Sequence, residues 1–264
     1  MKSLTVLSLS NTKVTNAGLK EIANFKQLTA LDLRLTRVSG ERLKELAPLK
    51  NLHTISLSNT QITDDTLRGL KEAQLLHALL LATSADGKRP TKPEEVVAFD
   101  FKFTNVTTGG LKELVGFKSL HTLTLNNGKV TDGLLRELRK GELLHTLSLA
   151  VAANGKRPTK SEEVVAPDLV GTAATDAGLK EFAVFENLTI LDLSFARVTN
   201  EGFKEFVGQK KLARLSLFGP GVTDATLKEV GKLTNLTSLH LSGTVVTDEG
   251  LKELQQALPN CKIK

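Results

Sequence analysis

The chain has 264 residues, of which 40% are hydrophobic and 24% are charged, and these fractions are ordinary for a folded protein. They argue against disorder, and no run of 18 apolar residues is present that would cross a membrane. The formal net charge is +6, but many basic residues stand beside acids, chiefly in KE or RE pairs, so the charge is dispersed. The single cysteine, Cys261, excludes an internal disulfide.

The first segment, MKSLTVLSLSNTKVT, alternates apolar and polar residues as a strand does. It lacks the charged start, the unbroken apolar stretch and the small-residue cleavage site of a secretion signal. We therefore predict neither a signal peptide nor a transmembrane segment, and the sequence favours a cytoplasmic over a secreted location.

The strand pattern recurs along the chain, with apolar residues at relative positions 0, 3, 5 and 10, as in LTALDLRLTRV. Between these segments, as in VTDEGLKELQQ, apolar residues lie three or four apart and mark one face of a helix. Each repeat is therefore predicted to be one strand and one helix. We predict a single domain over residues 1–264 with eleven repeats, starting at residues 4, 28, 52, 76, 96, 120, 144, 164, 188, 212 and 236, and a partial strand at 258–264.

Two repeats, 76–95 and 144–163, are shorter than the others and lack the helical pattern. Each contains the segment GKRPTK, which raises the question of an anion site. The segment lacks P-loop spacing, and no helix follows it directly to offer N–H groups. A preceding Asp-Gly or Asn-Gly favours a tight turn, and the proline denies a helix its donor. We interpret the segment as the return path that replaces a helix, with an anion site as the alternative.

Threonine or serine precedes each predicted helix, where its hydroxyl can accept from a free N–H of the first turn. An aspartate often follows, which suits the positive end of the helix dipole. Glycine recurs two or three residues later, and we expect its missing Cβ to let helices of adjacent repeats approach closely. The predicted caps are Thr15, Ser39, Thr63, Thr107, Thr131, Thr175, Thr199, Thr223 and Thr247; the acids are Asp64, Asp132, Asp176, Asp224 and Asp248; and the glycines are Gly18, Gly110, Gly178, Gly202 and Gly250.

The pattern LxxLxLxxTxV followed by a helix resembles the leucine-rich repeat, and VTDxGLKEL with LTxLDLS is similar to bacterial repeats common in planctomycete proteins. The resemblance covers essentially the whole chain. It implies an α/β fold, a right-handed solenoid or horseshoe with a parallel β-sheet on the concave face and helices on the convex face. The family usually has asparagine at position 8, where threonine stands here, and a hydroxyl offers fewer hydrogen bonds than an amide.

The resemblance also implies non-catalytic recognition of a protein partner through the concave sheet, where alternate side chains of every strand emerge. The chain has no Trp or Tyr, which are frequent binding hot spots, so distributed contacts are expected. The candidate partner-binding residues lie on the predicted strands or just after them: Asp32, Arg34, Leu35, Asp100, Lys102, Phe103, Asp168, Asp192, Phe195, Arg214, Phe218 and His240.

Other functions have weaker support. Four histidines share position 1 of their repeats, namely His53, His77, His121 and His145, but no Cys, Asp or Glu joins that column to complete a metal site. No nucleophile, base and orienting group converge, so we predict no enzyme and no cofactor. The basic net charge suggests nucleic acid, yet aromatic platforms and a clustered basic stripe are missing, which argues against that partner.

The main alternative to recognition is a structural spacer or module of a longer protein. The chain enters its first strand at Leu4 with no capping helix. An uncapped repeat exposes apolar surface and favours end-to-end self-association or packing against an upstream partner. A recognition module is expected to lose binding when residues of the concave face change, whereas a spacer is expected to be indifferent.

Overall fold

The computed structural model describes residues 3–147, 150–167, 169–194 and 196–264. The chain forms two compact units, Met1–Leu125 and Asn126–Lys264. In both units, short strands alternate along the chain with short α-helices or 3-10 helices. No helix among the described residues is long and apolar enough to cross a membrane. The count of eleven repeats remains a prediction.

In the first unit, β1, β2 and β3 pair in parallel, with Ser8 opposite Asp32 and Asp32 opposite Ser56. The strands β5 and β6 also pair in parallel. The strands of this unit are β1 (Val6–Ser8), β2 (Ala30–Asp32), β3 (Thr54–Ser56), β4 (Ala82–Ser84), β5 (Val96–Asp100) and β6 (Thr122–Thr124). Its α-helices are α1 (Asn16–Ile22), α2 (Asp64–Glu72) and α3 (Thr108–Leu111), and its 3-10 helices are Gly40–Leu46, Asn59–Gln61, Leu76–Ala78, Pro93–Glu95 and Lys112–Leu114.

In the second unit, β9, β10, β11 and β12 form one parallel sheet in that order. The strands of this unit are β7 (Ala150–Ala152), β8 (Val164–Pro167), β9 (Ile190–Asp192), β10 (Arg214–Phe218), β11 (Ser238–Ser242) and β12 (Lys262–Ile263). Its α-helices are α4 (Asp132–Lys140), α5 (Asp176–Leu179), α6 (Asn200–Phe203), α7 (Asp224–Val230) and α8 (Asp248–Ala257), and its 3-10 helices are Asn127–Lys129, Leu144–Thr146, Ser161–Glu163, Lys180–Val184 and Lys204–Phe206.

The prediction of parallel strands throughout is wrong at the two short repeats. There β4 pairs with β5, and β7 with β8, in antiparallel fashion. The connections, residues 85–95 and 153–163, contain no α-helix. A parallel crossover needs a dozen or more residues and usually a helix, whereas antiparallel strands can be joined by a shorter turn. One parallel bridge, between Ile55 and Leu79, still links β3 to the first short repeat.

The core of each unit is made by the periodic apolar residues, because strand side chains alternate between the two faces of the sheet. In β2, for example, Leu31 is buried, while Ala30 and Asp32 on either side of it are partly exposed. The apolar position two residues further on, relative position 5, is buried in most of the described repeats, as Leu33 shows. Phe99 and Phe101 fill the same positions in β5 and just after it, with their rings stacked 5.3 Å apart.

Helices of successive repeats are tied together by an aspartate at the start of one and the threonine cap of the next. In α5, the Asp176 carboxylate accepts from the Thr199 backbone N–H and hydroxyl, both at 2.6 Å. Where a short repeat intervenes, the bond spans it, since Asp64 accepts from the Thr107 N–H at 2.7 Å. The sequence prediction assigned these acids only to the helix dipole. They also hold neighbouring repeats in register.

The predicted role of the helix glycines is confirmed for four of the five. A Cβ added at Gly110 would lie 2.5 Å from Asp64 Oδ1, and one at Gly202 would lie 2.6 Å from Asp176 Oδ1. Gly178 and Gly250 face the corresponding aspartates in the same way. The prediction is wrong for Gly18, whose added Cβ would meet only a side chain of its own repeat.

Four of the position-8 threonines close the turn that follows a strand. The hydroxyls of Thr12, Thr36 and Thr104 donate to the main-chain carbonyl three residues earlier, at 2.7 to 2.8 Å. The same bond occurs at Thr172, at 2.9 Å. Each hydroxyl therefore satisfies one carbonyl locally, as expected from its single donor.

Candidate functional site

Each unit exposes one face of its strands, which we call the strand face. In the first unit this face is shallow, because most of its side chains are short and many carry hydroxyls. Larger exposed side chains stand at or just after the ends of the strands. The strand face of the first unit consists of Val6, Ser8, Ala30, Asp32, Thr54, Ser56, Ala98, Asp100, Thr122 and Thr124.

Asp32 and Arg34 form a bidentate ion pair at the end of β2. The guanidinium Nη2 lies 2.7 Å from Asp32 Oδ2, and Nε lies 3.0 Å from Oδ1. The hydrogen bond from Arg34 lowers the pKa of the Asp32 carboxyl, so the pair stays charged on both sides. Because each charge is neutralised by the other, this pair offers a partner a fixed polar shape and little net charge.

Three of the predicted aspartates also have a local structural role. The carboxylates of Asp32, Asp100 and Asp192 each accept from the backbone N–H two residues later, at 2.9 to 3.0 Å. This is the turn in which an aspartate side chain replaces a backbone acceptor. Substituting these residues would therefore disturb the turn as well as any binding surface.

The most exposed large apolar side chains next to the strand face of the first unit are Leu35 and Phe103, at 65% and 74% exposure. Both have left-handed backbone, with φ of 56° and 61°. They share position 7 of their repeats, and three other residues at that position are left-handed glycines, namely Gly171, Gly219 and Gly243. A bulky residue with this backbone is a genuine outlier, because its Cβ crowds the following carbonyl oxygen.

In the second unit, the predicted residues of β9, β10 and β11 fall into two rows of the strand face. Asp192 lies opposite Ser216, and Ser216 lies opposite His240. The neighbouring row contains Arg214, which is exposed. The ring of Phe218, at the end of β10, lies against Gly243, where an added Cβ would approach it to 3.2 Å.

Of the other predicted residues, Lys102 is exposed and its N–H donates to Asp100. Asp168 and Phe195 lie outside the described residues. Sequence reasoning missed Lys262 and Lys264, which are exposed at the strand face of the second unit because β12 adds to β11 in register. The alternation in CKIK was the available signal, but the pairing of β12 decides which side chains face outward.

The GKRPTK segments bind their own chain. The guanidinium of Arg89 donates to four main-chain carbonyls, those of Ala78, Leu79, Leu80 and Ala82, at 2.5 to 3.2 Å. In the second copy, Arg157 donates in the same way to carbonyls at 3.0 and 3.3 Å. The guanidinium therefore satisfies backbone groups that the missing helix leaves without partners, which supports the interpretation of a structural return path.

The position-1 histidines differ in environment. His77 and His145 are buried, and burial lowers the pKa of His77. His53 and His121 are only partly buried, and each lies within 3.4 Å of the hydroxyl of the threonine that follows it. Among the described residues, no group of three or more His, Cys, Asp or Glu is arranged to hold a metal ion.

A family model described as Leucine Rich repeat matches three parts of the chain, residues 1–23, 186–207 and 232–254. No curated protein matches the sequence. Among solved structures, an internalin C2 from Listeria monocytogenes is similar at 19% identity and a TM-score of 0.31, over 98% of this chain and 69% of that chain.

Proposed function

We propose that this chain, three parts of which match the leucine-rich-repeat model, is a non-catalytic module that recognises a protein partner through its strand faces. Leucine-rich-repeat domains generally mediate protein–protein interaction and are typically not enzymes. We infer that the strands line the concave side within each unit. The anchors of the first unit are then Leu35 and Phe103, with Asp32, Arg34, Asp100 and Lys102 as the polar residues around them.

The observation that supports this assignment is the backbone of Leu35 and Phe103. A left-handed conformation costs a residue with a Cβ about 1–2 kcal/mol, and glycine largely avoids that cost. Most of each side chain is in water, so burial in the free protein offsets only a fraction of the cost. Retaining a leucine and a phenylalanine where three other repeats have glycine and the first has Asn11 is consistent with a gain that comes on binding.

The surroundings define the chemistry of the partner. Asp32 and Arg34 neutralise each other, and Asp100 and Lys102 place one charge of each sign beside Phe103. A roughly neutral polar rim around exposed apolar side chains is the usual composition of a protein interface. The partner is therefore expected to present two apolar recesses, one for each anchor.

The test is quantitative affinity capture from a lysate of the source organism, comparing the wild type with a Leu35→Gly, Phe103→Gly double variant. Glycine is the informative substitution, because it removes the side chain and suits the left-handed backbone. The matched control is Val115→Ala with Val184→Ala, since these valines are 46% and 38% exposed and lie outside the strands. Folding of each variant is verified by circular dichroism.

A protein retained by the wild type and the control but lost with the glycine variant would support recognition through the first strand face. If all three capture profiles match, this face has no dedicated partner. A structural spacer would then be the better account of the first unit, because a spacer is indifferent to these side chains.

A further inference from the structure

Three cationic side chains and one histidine lie together on β10, β11 and β12 of the second unit or just after them. We call Arg214, His240, Lys262 and Lys264 the basic strand patch. Arg214 lies opposite Ser238, and Ser238 lies opposite Lys262, so the first and last of these occupy one row. Lys264 continues β12, with its N–H donating to the Leu239 carbonyl at 3.0 Å. All four residues of the patch are exposed.

The charges of this patch are not neutralised within the described part of the chain. Arg214, Lys262 and Lys264 form no ion pair with a described acidic side chain within 4.0 Å. On the helices of the same unit, by contrast, lysines do pair across repeats, as Lys180 does with Glu205 at 3.3 Å. The aspartate of this sheet, Asp192, lies on β9, two strands away from His240.

The side chains that lie between the basic residues are short and polar, whereas the row of Arg214 continues on β9 with Ile190, which is 38% exposed. Ser216, Ser238 and Ser242 are partly exposed between the basic residues, and each hydroxyl can donate one hydrogen bond. Rows of the patch are about 10 Å long across two strand spacings, and successive outward residues of one strand lie about 7 Å apart. Carboxylates on alternate residues of an extended peptide have the same separation of about 7 Å.

We propose that the basic strand patch binds an acidic protein segment, one with aspartate or glutamate at alternate positions. This inference rests on the proposed function in assigning recognition to a strand face, but it uses the second unit and a different partner chemistry. A protein segment fits better than a nucleic acid, because single-strand binders stack bases on exposed aromatic rings. The phenyl ring of this sheet, Phe218, packs against Gly243.

The experiment measures binding by fluorescence polarisation with three labelled probes. The first is a peptide of alternating aspartate and serine, the second is the same peptide with asparagine in place of aspartate, and the third is single-stranded oligo-dT. The test variant is Arg214→Gln, Lys262→Gln, Lys264→Gln. The control variant is Lys112→Gln, Lys118→Gln, Lys252→Gln, which removes three exposed lysines outside the strands, so both variants carry a formal charge of +3 instead of +6.

We expect the wild type and the control variant to bind the aspartate peptide and not the asparagine peptide, with affinity falling as salt is added. The test variant should bind about tenfold more weakly, since each exposed ion pair contributes little but three act together. An equal loss in the control variant, or no binding of the aspartate peptide at low salt, would overturn the proposal. Tighter binding of oligo-dT would replace it with nucleic-acid recognition.

These outcomes are separable from a failure of the proposed function in the first unit. The double variant Leu35→Gly, Phe103→Gly leaves the basic strand patch unchanged and should bind the aspartate peptide as the wild type does. Loss of peptide binding in that variant would contradict the assignment of this partner to the second unit.

Discussion

Replacing Phe103 by glycine should stabilise the protein relative to replacing it by alanine, which is the reverse of the usual order. Both substitutions remove the ring, so its burial cancels in the comparison. Only glycine relieves the left-handed backbone at φ 61°, which is worth about 1–2 kcal/mol. Against this, glycine gives the unfolded chain more conformational freedom than alanine does, which lowers the free energy of unfolding by about 0.4–1 kcal/mol. The difference should therefore be up to about 1.6 kcal/mol in favour of glycine, with a central value of about 0.8 kcal/mol.

Relative to the wild type, Phe103→Gly should be close to neutral or slightly stabilised. The ring is 74% exposed, so only about a quarter of its burial energy, roughly 0.5 kcal/mol, is lost on truncation. Phe103→Ala loses the same burial and keeps the strained backbone, so it should be the less stable variant.

The assay is urea denaturation followed by circular dichroism, together with thermal scans in which 1 kcal/mol corresponds to roughly 2–4 °C for a chain of this size. Val207 provides the control, since it is exposed but has helical backbone at φ −54°. There, glycine should be less stable than alanine by about 0.5–1 kcal/mol. If Phe103→Gly is also less stable than Phe103→Ala, the backbone at position 7 stores no strain. Leu35 and Phe103 then lose their support as anchors.

Three further outcomes follow from the contacts within the repeats. Gly202→Ala should lower the free energy of unfolding by about 1–3 kcal/mol, because the added Cβ collides with Asp176. At Gly133 an added Cβ would make only an ordinary contact, 3.9 Å from the Thr131 hydroxyl, so Gly133→Ala should stabilise by up to about 1 kcal/mol. Equal effects of the two substitutions in urea titrations would refute the close helix approach. Arg89→Met should lower the free energy of unfolding by about 2–3 kcal/mol, because four carbonyls lose a charged donor. The control is Lys88→Met at the exposed neighbouring residue, which should leave the free energy of unfolding unchanged. Burial lowers the pKa of His77 below its ordinary 6.5, so protonation of this side chain favours the unfolded chain. The free energy of unfolding should therefore fall as the pH drops from roughly 7.5 to 5.5. A His77→Leu variant whose stability falls just as steeply with pH would contradict this.

Several local features could be predicted from the sequence because they depend on near neighbours along the chain. The nine threonine or serine caps all precede helices, α-helical or 3-10 in kind. The prediction that their hydroxyls accept from an N–H of the first turn is confirmed for Thr63, Thr107, Thr131, Thr175, Thr199 and Thr247. It is wrong for Thr15 and Ser39, whose hydroxyls form no such hydrogen bond. The periodic apolar residues also identified the core, since Leu31 and its equivalents are buried.

The candidate site was only partly predictable. The exposure of Leu35 and Phe103 was expected from their place after a strand, but their left-handed backbone was not, because nothing in either residue type favours it. Asp100 and Asp192 appeared as surface residues, whereas their carboxylates close a turn. Lys262 and Lys264 were overlooked because their exposure depends on β12 pairing with β11.

By itself, the sequence determined that the chain is built from strand and helix repeats with a periodic core, because hydrophobic spacing and capping act over a few residues. The tertiary structure alone decided which strands pair antiparallel, how Asp64 reaches across a short repeat to Thr107, and which basic side chains share the strand face of the second unit. These features join residues that are far apart in the chain. They depend on which segments become neighbours when the apolar faces of successive repeats pack together.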